Sequence, residues 1–237
     1  MIHYNKMEDI IRSRHYIYIN PNDLDFNLEE KHDIKFNTIK KFHRNNYENN
    51  EQCKYYGYND IVELLTKYDV ELRYLFLSIN PNYPALLADI GRYIILYNYG
   101  GVYHDLKCVT SNIEFVDFLQ KSHNNGITFI AEQRPGDQVR VRNTNICALI
   151  KHHRLLDKIL KNLKTRLLVA FKDNAFGSKH VSYIGSESYR DTFYENESTT
   201  IIRHLLCPEY LVLYTDIYKL NYTSWQETQE YIFKQPK

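Results

Sequence analysis

Ala88-Asp89-Ile90-Gly91-Arg92-Tyr93-Ile94-Ile95-Leu96-Tyr97-Asn98-Tyr99-Gly100-Gly101-Val102-Tyr103-His104-Asp105-Leu106-Lys107 is an apolar run with one charge pair, broken by two glycines and followed by a strand pattern that reaches a carboxylate. Pro84 suits the first turn of a helix, where its missing N–H has no helical partner, and Gly100-Gly101 suits the end, where a positive φ is often needed. The spacing therefore predicts a helix over Pro84 to Tyr99. Within it Asp89 and Arg92 are the only formal charges, while Leu86, Leu87, Ile90, Tyr93, Ile94, Ile95, Leu96 and Tyr97 cover most of the circumference. A helix apolar all round is normally buried. Three residues apart, Asp89 and Arg92 share a face and can pair. Burying such a pair brings a desolvation penalty that often exceeds its Coulomb gain, so the pair has either a functional reason or an exposed position on the helix.

After the glycines, Val102-Tyr103 reads as a buried strand. Residues two apart on a strand point the same way, so Asp105 and Lys107 at its end can both aim into the crevice where open α/β sheets bind ligands. There a carboxylate can accept from hydroxyls or hold a divalent cation, and an ammonium can meet phosphate charge. A surface Asp–Lys pair is the plainer account.

Asp89-x-x-Arg92-Tyr93, followed by Leu96-Tyr97-x-Tyr99-Gly100-Gly101-Val102-Tyr103-x-Asp105, resembles the DXD-containing sugar transferases of glycosyltransferase family 32, which include α-mannosyltransferases and are distantly similar to large bacterial glucosylating toxins. Weaker echoes are Asn145-Ile146-x-Ala148, then His152 or His153 with Leu155-Leu156, and a C-terminal Ser224-Trp225. The resemblance spans about 38–225 of a single domain over 1–237. It implies a GT-A-like, Rossmann-type α/β sandwich with a mixed central sheet, a UDP- or GDP-sugar donor, Mn²⁺, and transfer with retention to a glycan or protein acceptor. In that reading Asp89, Arg92 and Asp105 are catalytic. Asp89 and Arg92 hold sugar hydroxyls, Asp105 holds ribose and the metal, and Tyr93, Gly100, Gly101 and Tyr103 surround the donor. Asn145 lines the sugar pocket, and Ser224 and Trp225 close over the diphosphate.

Where the family carries its second acidic residue, this chain has Lys107. An ammonium can neutralise part of a diphosphate leaving group, the task a divalent ion otherwise performs. The departure points first to transfer with little or no dependence on metal, with Lys107 on the phosphates. Mn²⁺ held by Asp105 and a C-terminal ligand is a second expectation. A catalytically degenerate glycan-binding or scaffold module is a third.

With 30 basic and 29 acidic residues the net charge is +1, which lacks the electrostatic footprint of a nucleic-acid binder. The 22 tyrosines fit AT-rich coding, although Tyr93, Tyr97 and Tyr99 are candidate pocket walls. Cys53, Cys108, Cys147 and Cys207 stand far apart without metal spacing, as buried reduced thiols would. A charged N-terminus and the lack of any long apolar run predict neither signal peptide nor transmembrane segment. The expected setting is cytoplasmic, in a bacterial or viral protein able to act in a host cell. Phosphate-loop, serine-hydrolase and zinc-protease motifs do not occur.

A pass along the chain predicts strands at His15–Ile19, Tyr55–Tyr58, Ile127–Ala131, Ile146–Ile150 and Leu211–Tyr214. Helices are predicted at Thr38–Tyr47, at Ile61–Tyr68 capped by Asn59-Asp60, at Leu72–Ile79 and at Leu155–Leu168. Glu132 falls in the loop after a strand, where it is either solvated or an acceptor contact. Ser178–Ser198 reads as a polar, mobile segment or a plain surface excursion, and Lys151-His152-His153-Arg154 as a solvated helix start.

Overall fold

The computed structural model describes residues 7–25, 34–47, 52–106, 108–109, 113–133, 141–195, 201–204, 212–213 and 229–234. In chain order these form α1 (Met7–Arg12), β1 (Ser13–Ile17), α2 (Ile34–Asn46), β2 (Gln52–Tyr56), α3 (Tyr58–Tyr68), α4 (Val70–Ser78) and α5 (Pro84–Tyr99). There follow β3 (Gly101–His104), β4 (Cys108–Val109), α6 (Ile113–Asn124), β5 (Phe129–Gln133) and β6 (Val141–Ala148). The chain continues through α7 (Arg154–Lys172), α8 (Lys179–Ile184), α9 (Ser186–Glu195), β7 (Ile201–His204) and β8 (Val212–Leu213).

Six strands form one mixed sheet in the order β2-β1-β3-β6-β5-β7, while β4 and β8 pair separately. β1 runs parallel to β2 and β3, β6 is antiparallel to β3 and β5, and β7 is parallel to β5. This is the α/β sandwich with a mixed central sheet expected from the sequence. Alternation along the strands sorts the two faces. Val102, Ile130 and Cys147 pack with Ile11 of α1 and with Phe115, Val116 and Leu119 of α6. Tyr103, Ala131 and Ile146 instead join the main core with α3, α5, α7, α8 and α9. A third cluster, Tyr18, Phe36 and Ile39, covers the β1 end beside Leu106.

The helix α5 has the predicted bounds. Pro84 opens it and Gly100, at φ +66°, closes it with its N–H on the Leu96 carbonyl. Leu86, Leu87, Ile90, Ile94, Ile95 and Leu96 are all fully buried. Each such side chain contributes about 1.5–3 kcal/mol over exposure, enough to carry a buried charge pair within the same helix.

Several windows move. β1 and β2 begin earlier than predicted because their parallel register aligns Ser13 with Gln52 and Ile17 with Tyr56. The cap of α3 is Gly57, whose N–H donates to the Asp60 carboxylate at 2.7 Å, so Asp60 acts three residues inside the helix. β5 extends through Gln133, which places Glu132 in a strand and buries it rather than leaving it in a loop. His153 is no solvated residue: its Nδ1 accepts from the Leu155 N–H and caps α7. The segment read as mobile or as a surface excursion holds α8 and α9, pinned by buried Val181, Ile184, Tyr189 and Phe193. Residues 229–234 strap the far side of the core. Glu230 accepts there from the Asn80 and Asn82 amides, and Ile232 and Phe233 are buried. Among the described residues Cys108 and Cys147 are buried and Cys53 is half-buried, and no helix is long and apolar enough to cross a membrane.

Gly101 marks the sharpest local demand. At φ +91° an added Cβ would lie 2.7 Å from His15 Nε2 and 3.0 Å from the Ser13 carbonyl oxygen. Gly101→Ala is therefore expected to destabilise the protein by about 2 kcal/mol or more in urea unfolding, and a loss under about 0.5 kcal/mol would show that the β3 start relaxes freely.

Candidate functional site

The first half of α5 and the end of β3 converge on one guanidinium. Arg92 Nη2 lies 3.0 Å from Asp89 Oδ1 and 3.5 Å from Asp105 Oδ1. Its Nη1 donates to the Asn143 carbonyl at 2.5 Å and its Nε to the Ala88 carbonyl at 3.3 Å. Below it lies the Tyr103 ring, with its centroid 4.7 Å from the guanidinium carbon. Arg92 is thus held by every feature an arginine offers: charge, a planar fork and a flat face. The side chains of Arg92 and Asp89 are 6% and 11% exposed against 23% for Asp105, so Asp105 is the carboxylate that faces outward. The Tyr103 hydroxyl donates at 3.1 Å to Asp105 Oδ1, the same oxygen that faces Arg92.

Asp89 is enclosed. The Asn143 amide donates to its Oδ1 at 2.9 Å and to the Tyr93 hydroxyl at 3.1 Å, and Tyr93 stacks on Tyr189 of α9. At the α8–α9 junction an added Cβ on Gly185 would lie 1.9 Å from Asp89 Oδ2, so only glycine admits this approach. Burial raises the Asp89 carboxyl pKa to about 6; the Arg92 charge opposes that rise and Asp105 adds to it.

The loop after Asp105 is braced from the other face. His43 of α2 donates from Nε2 to the Leu106 carbonyl at 2.8 Å and accepts at Nδ1 from the Tyr55 hydroxyl at 2.9 Å. Burial lowers its pKa to about 4, so the ring stays neutral and keeps this arrangement near pH 7. It stacks on Tyr16, whose hydroxyl bonds Tyr47 and donates to the Cys108 carbonyl.

Of the residues singled out in the sequence, the structure brings Asp89, Arg92, Tyr93, Tyr103 and Asp105 together. Gly100 and Gly101 lie at the opposite end of β3, about 13 Å along the strand from Asp105, and serve the helix-to-strand turn. Tyr97 and Tyr99 are also remote. Tyr97 packs on Tyr68 and His152, and Tyr99 on His15 and Tyr56. Asn145 pairs across from His104, and its amide engages His104 and Glu132 rather than Asp89 or Arg92. The asparagine that reaches Asp89 is Asn143, two residues earlier. Sequence reading missed Asn143 and His43, although a polar Asn-Thr-Asn run inside a buried strand is itself a signal. Lys107, Ser224 and Trp225 lie outside the described residues.

A metal centre needs several converging donors, and no group of three or more such side chains occurs among the described residues. Arg92 stands between Asp89 and Asp105, so the two carboxylates do not share an ion. Among the described residues this donor set does not complete a Mn²⁺ site.

Residues 5–112 match the sequence model of a family described as the glycosyltransferase sugar-binding region containing DXD motif. The matched stretch includes α5, β3 and Asp105 and ends before β5. No curated protein matches the chain. Among solved structures, one titled "PaToxG Glycosyltransferase" is similar at 16% identity and a TM-score of 0.49, over 78% of this chain and 69% of that one. Another, titled "Crystal structure of the UDP-bound glycosyltransferase domain from the YGT toxin", is similar at 9% identity and a TM-score of 0.39, over 81% of this chain and 68% of that one.

The raised Asp89 pKa has a defined sign. A carboxyl that titrates near 6 when folded and near 3.8 when unfolded contributes stability that is fully present below about pH 4 and is lost as pH rises through 6. Asp89→Asn cannot ionise. From pH 4 to pH 7 its stability relative to wild type should therefore rise by on the order of 2–3 kcal/mol in urea unfolding, whereas a flat difference would show that Asp89 titrates normally.

Proposed function

We propose that this protein is a retaining glycosyltransferase of the family 32 type with a GT-A-like fold, moving a sugar from a UDP- or GDP-sugar to a glycan or protein acceptor. The carrying observation is the Arg92 guanidinium shared between a buried Asp89 and an outward-facing Asp105. It stands within the stretch that matches a glycosyltransferase sugar-binding region.

In this mechanism the outward-facing Asp105 carboxylate accepts from donor hydroxyls. Arg92 donates to sugar oxygens from an orientation set by Asn143, Ala88 and Tyr103. Asp89, enclosed beneath the cluster and ionised above about pH 6, holds Arg92 in place as its counter-charge. As the anomeric carbon gains positive character, the carboxylates stabilise it, and water is kept out by the packed α8–α9 wall. The departing diphosphate needs positive charge, which Lys107 supplies, while Ser224 and Trp225 cover that end of the donor. Asn145 acts from behind the site. A reading as a degenerate glycan-binding module is favoured only by Lys107 in place of the second acid, and sugar release from any donor at enzymatic rates eliminates it.

Nucleotide release from a panel of UDP- and GDP-sugars, with Mn²⁺ and with EDTA, is the direct test. Release in EDTA that falls at least about 30-fold in Lys107→Ala supports Lys107 as the counter-charge, and release only with Mn²⁺ assigns that task to an ion. Asp105→Asn should reduce transfer at least about 100-fold with the fold intact, and near-normal turnover would sink the proposal. For the wild type, kcat/KM should rise with pH through an apparent pKa near 6 and then level off, because Asp89 must be ionised to hold Arg92 in position. An acid limb near 4 would remove Asp89 from this role.

A further inference from the structure

We propose that Glu132 is a positioning residue that holds the bulge of β6 on which the Asp89–Arg92–Asp105 cluster is assembled. Its catalytic consequence rests on the transferase reading above, while its structural consequence does not.

The pairing of β5 with β6 is interrupted at one place. Ala131 faces Ile146, but the next residue, Glu132, faces Arg142, so Asn143, Thr144 and Asn145 have no β5 partner. Such bulges re-aim groups beside active sites. Here each bulged residue holds part of the cluster. The Asn143 carbonyl accepts from Arg92 while its amide donates to Asp89, and the Thr144 carbonyl accepts from the Asp105 N–H at 3.0 Å. Asn145 accepts at Oδ1 from His104 Nδ1 at 2.7 Å, beside Asp105 in the chain.

Glu132 reaches into the interruption. Its Oε2 accepts from the Thr144 hydroxyl and from the Asn145 amide, each at 2.6 Å, and the residue is only 2% exposed. Removing a carboxylate from water is costly, and charge-assisted hydrogen bonds of this length are among the stronger ones available to recover it. These two donors lie on the bulge; the Thr144 carbonyl accepts from the Asp105 N–H, and Asn145 holds His104, the residue before Asp105. A carboxylate that holds the side chains of two consecutive bulged residues fixes the orientation of this stretch, from which the Thr144 carbonyl meets Asp105 and the Asn143 carbonyl meets Arg92.

The test compares Glu132→Ala, Glu132→Gln and Thr144→Val by amide hydrogen exchange and by steady-state kinetics. In Glu132→Ala the Asp105 amide should exchange at least tenfold faster while the α7 amides keep their protection. Donor turnover should fall at least about 30-fold in kcat with the donor KM changed less than about threefold. Glu132→Gln keeps an oxygen for both donors and should recover to within about fivefold of wild type in both readouts. Thr144→Val removes one of the two bonds without changing charge, and it decides the matter if Glu132→Ala does not fold. It should speed Asp105 exchange about threefold. Unchanged Asp105 exchange in Thr144→Val, or Glu132→Gln as impaired as Glu132→Ala, overturns the proposal. If the wild type turns over no donor, the transferase reading fails, and the exchange data still decide the role of Glu132.

Discussion

A buried guanidinium is the constraint around which this fold is organised. Arg92 is 5% exposed, and a cation so placed is tolerated only when charge and hydrogen bonds surround it. Two carboxylates, two backbone carbonyls and an aromatic face meet that need, and they come from α5, β3 and β6. The apolar mass of α5 supplies the stability that such a cluster consumes. The antiparallel pair β3 and β6 delivers the remaining partners to one point, so strand order and site chemistry are two aspects of a single arrangement.

On the other face, the polar interior does mechanical work. His43, kept neutral by burial, grips the Leu106 carbonyl one residue beyond Asp105, and Tyr16 grips Cys108. The loop that carries the outward carboxylate is thereby held by α2, β1 and β6 together. Ring stacking of Tyr16, His43 and Tyr55 rigidifies that grip with little cost in side-chain freedom.

How much of this could be read from sequence depends on the range of the interaction. The bounds of α5 followed from Pro84 and Gly100, because terminal signals are local. The Asp89–Arg92 pair followed from helical spacing, and Asp105 from its place after a strand. What escaped was register. Nothing local to Glu132 shows that β5 continues through it, since that depends on where β6 bulges. Likewise, Asn143 and Asn145 look interchangeable in the chain, yet the bulge turns one toward Asp89 and the other toward His104. Gly100 and Gly101, adjacent to the motif in sequence, belong to the turn because a strand separates them from Asp105 by its full length. The polar stretch that holds α8 and α9 misled for a related reason: its few buried anchors, Val181, Ile184, Tyr189 and Phe193, are outnumbered by residues that face water.

The contact between Gly185 and Asp89 has an evolutionary corollary. The floor of the cluster is closed by main chain rather than by a side chain, because even a methyl group would occupy the space of the carboxylate oxygen. Inherited change cannot graduate that contact through successive residue types; it must shift two helices together or leave the floor alone. Diversification of this scaffold is therefore channelled to the rim near Asp105, where side chains can be exchanged one at a time without disturbing the charge beneath.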